Sequence, residues 1–486
     1  MSLNEILNPV TLPAWIVSVP LAAAVLAVVL PKTGGWAGIF TAILTAAMVA
    51  ALGHEILVHG PVQMVIGGWL PPLGIALYAD GLSAAMLGIT ALVSGCITLY
   101  ARGYFSGSAA SRRFWPLWMF LWAALNALFL SADIFNLYVT LELLGLSAVA
   151  LVALSGTADA FRAAVRYLLV GLTGSLIYLT GVAFFYAVTG TLGLNIKVAV
   201  GSAPASMTVP FALMAAGLIL KSALFPMHFW LPPAHANAPA PVSAALSALV
   251  VKGSFYILLR LWFTVFMPFI NPFSAQLVGM LAAAAIIWGS LQALLAERLK
   301  LLVAYSTVAQ IGYLFLIFPL SSIAQGGPNA WFGGLYFVLS HACAKAAVFL
   351  SAGAVMHCCG HDRIRDLHGI VARLPVSVFA FALAGVSLIG LPPSGGFIAK
   401  WLYLNKALVA GQWWWGVVMI IGGLLATAYI FRFFARAFIN TPEVAAGRPV
   451  PWIMEWTALG LAFCAIILGL AAPAVTRLLD VGNPFQ

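Results

Sequence analysis

An all-α polytopic membrane fold of about 14 transmembrane helices is what this sequence predicts. Three observations lead there. The chain is 63% hydrophobic and only 7% charged over 486 residues, against about 25% charged for an ordinary soluble domain. Continuous apolar runs of helix-spanning length follow one another at short intervals, whereas barrel strands would alternate in short segments. Basic residues fall on alternate connections.

In order, the apolar segments read as 13–31, 35–53, 78–101, 114–131, 133–154, 164–188, 208–227, 241–263, 274–296, 300–319, 330–356, 376–404, 413–436 and 452–473. With loops placed alternately, Lys32, Arg102, Arg112, Arg113, Arg162, Arg166, Arg298, Lys300, Arg363, Arg365, Arg373, Arg432, Arg436 and Arg448 share one side. Lys197, Lys406 and Arg477 share the other. By the positive-inside rule the first side is cytoplasmic, and both termini of this multi-pass inner (cytoplasmic) membrane protein lie outside. The formal charge of +10 therefore reflects topology and needs no nucleic-acid partner. Lipid is the surrounding solvent.

The connections add little. The 54–79 stretch carries the turn signals Gly67-Gly68 and Pro71-Pro72 and reads as a short hairpin or interfacial piece; 106–113 reads as a solvated turn. With no Gly/Ser-rich linker or shift of composition, residues 1–486 form one membrane domain. The N-terminus lacks a signal-peptide pattern, so the first apolar run is read as a retained helix. Five scattered cysteines show no metal or redox spacing and read as apolar fillers. No flavin, haem, iron–sulfur or metal motif is present, so no cofactor, metal or catalytic residue is expected, and whether the chain serves an enzyme complex is open.

Two segments look broken. The seventh holds Pro226, and the twelfth holds Gly390-Leu391-Pro392-Pro393-Ser394-Gly395-Gly396. Proline and glycine inside a span free carbonyls that protein or water must satisfy, so such a break lines a cavity. The two run in opposite directions five helices apart, which points to an inverted-repeat transporter with its site at the breaks; two unrelated packing kinks are the bland alternative.

Charges inside spans are costly, about 2.5–3.5 kcal/mol for a central lysine on insertion scales, and so ask for a reason. Glu142 lies deep in the fifth segment, with Lys221 as its expected partner. A carboxylate beside an ammonium can hold or release a proton according to its partner's charge, or can be a static pair locking two helices. Lys221 and Lys252 can exchange protons where arginine cannot. Arg260 reads as a snorkelling or structural charge. His228 and His235, in the proline-rich connector, are candidates for proton entry, or for bonding to carbonyls that the break frees. His341 and Lys345, four apart, share one helical face and look into the bundle. Lys400 follows the second break. Ser222, Tyr305, Ser306, Thr307 and Gln310 are candidates for positioning water or for ordinary interhelical contacts. Asp80 and Asp133 read as helix caps or mouth charges.

The stretches DIFNLYVTLELLGLSA (133–148), LKSALFPMHFWLPPAHANAPAPVSAALSALVVK (220–252), ERLKLLVAYSTVAQIGYL (297–314), HACAKAAVFLSAGAV (341–355) and SLIGLPPSGGFIAKW (387–401) resemble the antiporter-like membrane subunits shared by complex I, membrane-bound hydrogenases and Mrp cation/proton antiporters. The resemblance implies two inverted five-helix repeats, 114–263 (helices 4–8) and 274–436 (helices 9–13), with broken helices 7 and 12. Carried over by motif, it makes Glu142 and Lys221 the paired charges, Lys252 the central lysine, His341 and Lys345 the link, and Lys400 the terminal lysine. Lysine at 400 and the GGWLPPLGIALYADGLSA start (67–84) are most similar to the D-subunit branch of Mrp antiporters. The sequence departs from the family at Pro233-Ala234-His235-Ala236, where an acid often follows the proline, and at Cys343-Ala344. The implied function is proton translocation within a multisubunit membrane complex, with partner membrane subunits, protons as the transported ion and Na+ left open. Alternatives are an energy-coupling subunit of complex I, a hydrogenase or an inorganic-carbon uptake complex, and a non-conducting scaffold.

Overall fold

The computed structural model describes residues 9–69, 74–194, 205–321, 327–439 and 447–485. Pro71, Pro72 and Lys197, which entered the reading of the loops, lie outside them. Among the described residues, twelve helices are long and apolar enough to cross a membrane. They are α1 (Leu12–Val29), α2 (Gly34–His59), α3 (Gly81–Tyr104), α4 (Ser111–Leu130), α5 (Ile134–Val152), α6 (Ala158–Thr189), α9 (Ala240–Val265), α10 (Pro272–Leu295), α11 (Leu299–Ser321), α12 (Gly327–Cys359), α15 (Trp413–Ala437) and α16 (Trp452–Leu470). Two further crossings are interrupted: α7 (Thr208–Lys221) with α8 (Leu231–Asn237), and α13 (Pro375–Ile389) with α14 (Gly395–Val409). The protein is thus an all-α, multi-pass membrane protein with its seventh and twelfth crossings broken, as expected. A short α17 (Ala472–Asp480) follows.

The 54–79 stretch differs in part. Helix α2 continues to His59, with the Glu55–His59 pair one turn apart at 3.0 Å, and stops where Gly60 takes φ 90° before Pro61. The remainder does form the hairpin: β1 (Val62–Val65) pairs antiparallel with β2 (Ala76–Ala79), Val62 opposite Ala79. We call this end of the bundle the hairpin end. The opposite end, with Arg298, Arg363 and Arg365, is the basic end.

Burial separates the helices into a core and a rim. Every residue in the most apolar stretch of α9 and of α12 is buried, against a third in α2, α6 and α15. Helices buried all round are the ones that can carry charge away from lipid.

The breaks arise locally. Helix α7 ends as Ala223 takes a positive φ of 55° ahead of Pro226, and the Trp230 indole donates to the Leu220 carbonyl at 3.1 Å. Helix α13 ends at Gly390, whose φ of 90° an L side chain rarely adopts. Ser394 then caps α14 by accepting from the Phe397 amide at 3.2 Å.

Candidate functional site

The first charged pair joins three helices. Lys221, the last residue of α7, donates from Nζ to Oε1 of Glu142 on α5 at 2.6 Å, and Ser175 of α6 donates to the same oxygen. The helices can come this close because position 217 has no side chain: a Cβ on Gly217 would lie 2.4 Å from the Gly174 carbonyl oxygen. The side chains are 8% and 19% exposed, so the pair sits just inside the α5–α6 edge, beside exposed Leu146 and Leu172.

Toward the core a cavity of about 30 Å³ opens between Lys221, Tyr167, Trp230, Val250 and Ser254. That is room for a water molecule. Ser222 donates to Ser254 of α9 at 3.0 Å. The polar contacts thereby pass from the end of α7 to the helix that carries Lys252.

Lys252 is fully buried and donates to the Ser247 carbonyl at 2.9 Å. Ser247 lies within a π-helical turn, Leu246–Val250. The Ser247 hydroxyl meets the Thr307 hydroxyl of α11 at 2.9 Å, and Thr307 donates to the Val303 carbonyl at 3.0 Å. The same Val303 carbonyl accepts from Lys345 of α12 at 3.1 Å, and Lys345 also donates to Ser306. Two lysines from different helices thus meet through one serine, one threonine and one carbonyl.

One turn from Lys345, the buried His341 ring lies parallel to Phe337 at 5.9 Å. Neither of its ring nitrogens has a protein partner in hydrogen-bonding geometry among the described residues. His341 shares one face of α12 with Lys345.

Lys400 reaches back across the second break. It donates to the Leu388 and Ile389 carbonyls, both at 2.9 Å, and its ammonium lies 4.2 Å over the Tyr313 ring. Gln310 shares the Leu388 carbonyl at 3.2 Å. Among the described residues no carboxylate oxygen lies within 4.0 Å of the ammoniums of Lys252, Lys345 or Lys400.

The connector histidines divide. His228 stacks on Phe225 at 5.5 Å, inside the break. His235 is fully buried against Phe349 of α12 at 4.9 Å, and neither of its nitrogens meets a protein partner in hydrogen-bonding geometry among the described residues.

Other charges serve the framework. Asp80 caps α3, accepting from the Ser83 amide at 2.9 Å, and Asp133 caps α5, accepting from Asn136 at 2.6 Å. Arg260 does not snorkel; it is buried in a fork with Asp80, both bonds at 2.5 Å, and donates further to Tyr256 and Ser83. Ser175, Ser247 and Ser254 escaped the sequence reading, because a lone serine in an apolar helix carries no signal until its neighbour across the interface is known.

A bundle of apolar crossings, two of them broken, with buried ammoniums linked by hydroxyls and carbonyls, defines the class of antiporter-like membrane subunits. The chain belongs to the NADH:quinone oxidoreductase/Mrp antiporter membrane family, whose model matches residues 131–426. A second model, the N-terminus of complex I chain 5, matches residues 69–115. The chain is 36% identical to the N subunit of the NADH-quinone oxidoreductase of Desulforudis audaxviator, over 90% of this chain and 89% of that one. It is 28% identical to the D subunit of the Na(+)/H(+) antiporter of Bacillus subtilis, over 95% and 92%. Among solved structures it superposes on a chain of the Mrp complex of a Dietzia species with a TM-score of 0.88, at 25% identity and 98% coverage of both chains. A chain of an archaeal membrane-bound sulfane sulfur reductase gives 0.87, at 25% identity, over 97% and 96%. These neighbours are multisubunit membrane complexes.

Proposed function

We propose that this chain is a proton-translocating subunit of a multisubunit complex in the inner (cytoplasmic) membrane, of the type of the Mrp antiporter D subunit. The observation that carries the reading is the array itself: Glu142–Lys221, then Lys252, His341 with Lys345, and Lys400, the last three lysines held by carbonyls, hydroxyls and a ring rather than by carboxylates. Ammoniums without counter-ions are expensive in a membrane, so a static scaffold would gain nothing by keeping them. Carbonyl and hydroxyl partners also tolerate both forms of a lysine, as a relay requires.

In this reading the repeats are 114–263 and 274–436, the basic end faces the cytoplasm, and both termini face outside. Protons enter past the first break, with His228 and His235 as entry groups, and leave beyond Lys400. Sodium ion is the partner ion of an Mrp-type exchange. The 36% identity to an NADH-quinone oxidoreductase N subunit favours a second reading, an energy-coupling subunit of a respiratory complex. The relay is the same in both; the partners differ.

The test is proton and cation movement in inverted vesicles holding the whole complex, wild type against Lys221→Ala at equal assembly. A fall of at least about tenfold is expected if the lysine carries the proton. An unchanged rate removes Lys221 from the route. Sodium-dependent proton movement without quinone turnover selects the antiporter reading over the respiratory one.

A further inference from the structure

Lys300 is a buried lysine that the route above does not use. It lies one residue into α11 at the basic end, 1% exposed, and its ammonium donates to the Ala238 carbonyl. Asp362 is nearby, but its carboxylate accepts from the Lys300 backbone amide at 3.1 Å and from Arg298 at 2.9 Å. No carboxylate oxygen stands within 4.0 Å of the Lys300 ammonium among the described residues. Arg298 also donates to the Ala236 carbonyl at 3.3 Å, so Arg298 and Lys300 together hold the segment that carries His235.

Two lines run inward from this point. Along α11, the next turn presents the Val303 carbonyl, which receives Lys345. Along the connector, His235 stacks on Phe349, one turn of α12 toward the basic end from Lys345, with both ring nitrogens unpartnered among the described residues. A buried imidazole three residues from the carbonyl that holds Lys300, and packed on Phe349 one turn of α12 from Lys345, has the donor and the acceptor needed to pass a proton on.

We propose that Lys300 is a further proton-carrying residue, the cytoplasmic entry group that supplies His235 and through it Lys345 and Lys252, separately from the Glu142–Lys221 pair. The proposal rests on the relay and the orientation given under the proposed function. The proton is relayed with no net bond made: Lys300 releases one proton to the imidazole, which releases its other one to the core lysine.

The experiment is proton uptake by the whole complex in vesicles, with Lys300→Arg, Lys300→Gln and Lys221→Ala compared at matched assembly. Arginine keeps the charge and the carbonyl bond but does not release its proton. Lys300→Arg is expected to lower uptake at least about tenfold. A wild-type rate overturns the proposal. If Lys221→Ala alone loses uptake, the relay stands and the Lys300 branch falls; if neither does, the relay itself falls. Where Lys300→Arg assembles poorly, Lys300→Gln decides: loss supports the branch, and a wild-type rate overturns it.

Discussion

Lys221 and Glu142 meet at 2.6 Å across 79 positions of sequence, and the Ser175 hydroxyl completes the carboxylate's contacts. Because both side chains are largely buried, removing one partner strands the other. Glu142→Gln and Lys221→Met should each destabilise the protein by up to about 3–5 kcal/mol, whereas the double variant should recover most of the loss. Thermal unfolding of the four proteins in one detergent, read as a double-mutant cycle, checks this. A double variant no more stable than the worse single one would contradict it.

Lys252 bonds to a carbonyl and Lys345 to a carbonyl and a hydroxyl, so a permanent cation is electrostatically tolerable at either site but cannot turn over. Lys252→Arg and Lys345→Arg should therefore assemble and yet lose proton transport by at least about tenfold. Blue-native gels paired with vesicle acidification separate the two effects. Wild-type transport in either variant would remove that lysine from the route.

The Arg260–Asp80 fork predicts the opposite pattern. Arg260→Met leaves a buried carboxylate without its cation, a loss of about 3–5 kcal/mol. Yield and melting temperature should fall, while transport per assembled complex stays near wild type. A selective transport defect at normal stability would show that the fork does more than hold α3 to α9.

Helix approach gives a fourth outcome. Gly217→Ala drives a methyl into the Gly174 carbonyl, whereas a Cβ at Gly171 on the same helix as Gly174, α6, meets nothing within 4 Å. Overpacking of this kind costs about 1–3 kcal/mol, and spreading α6 from α7 lengthens the Glu142–Lys221 contact. Gly217→Ala should lower both melting temperature and transport, and Gly171→Ala should leave both unchanged or slightly raised.

The sequence was readable where local chemistry decides. Span positions follow from apolar length, and the breaks follow from Pro226 and the Gly390–Gly396 run. Glu142, Lys221, Lys252, Lys345 and Lys400 stood out because each is improbable in its own helix. What remained hidden depends on register between distant segments. Arg260 could be seen as a charge near a helix end, but its partner Asp80 lies 180 positions away. The carbonyls that hold Lys345 and Lys400 are backbone groups with no letter in the sequence. Likewise the extension of α2 to His59 turns on the Glu55–His59 turn and the stop at Gly60, which the hairpin signals further along obscured.

The π-helical turn at Leu246–Val250 has a geometric effect on everything after it. It carries one residue more than an α turn, so it sets the rotational phase of the rest of α9. Lys252, Tyr256 and Arg260, spaced by four, inherit that phase as one stripe: the first points to Ser247 and the last to Asp80. Deleting one residue within the turn would rotate the whole stripe by about 100° and disengage the lysine and the arginine together. Five residues without a charge thus act as the timing mark for both ends of the helix.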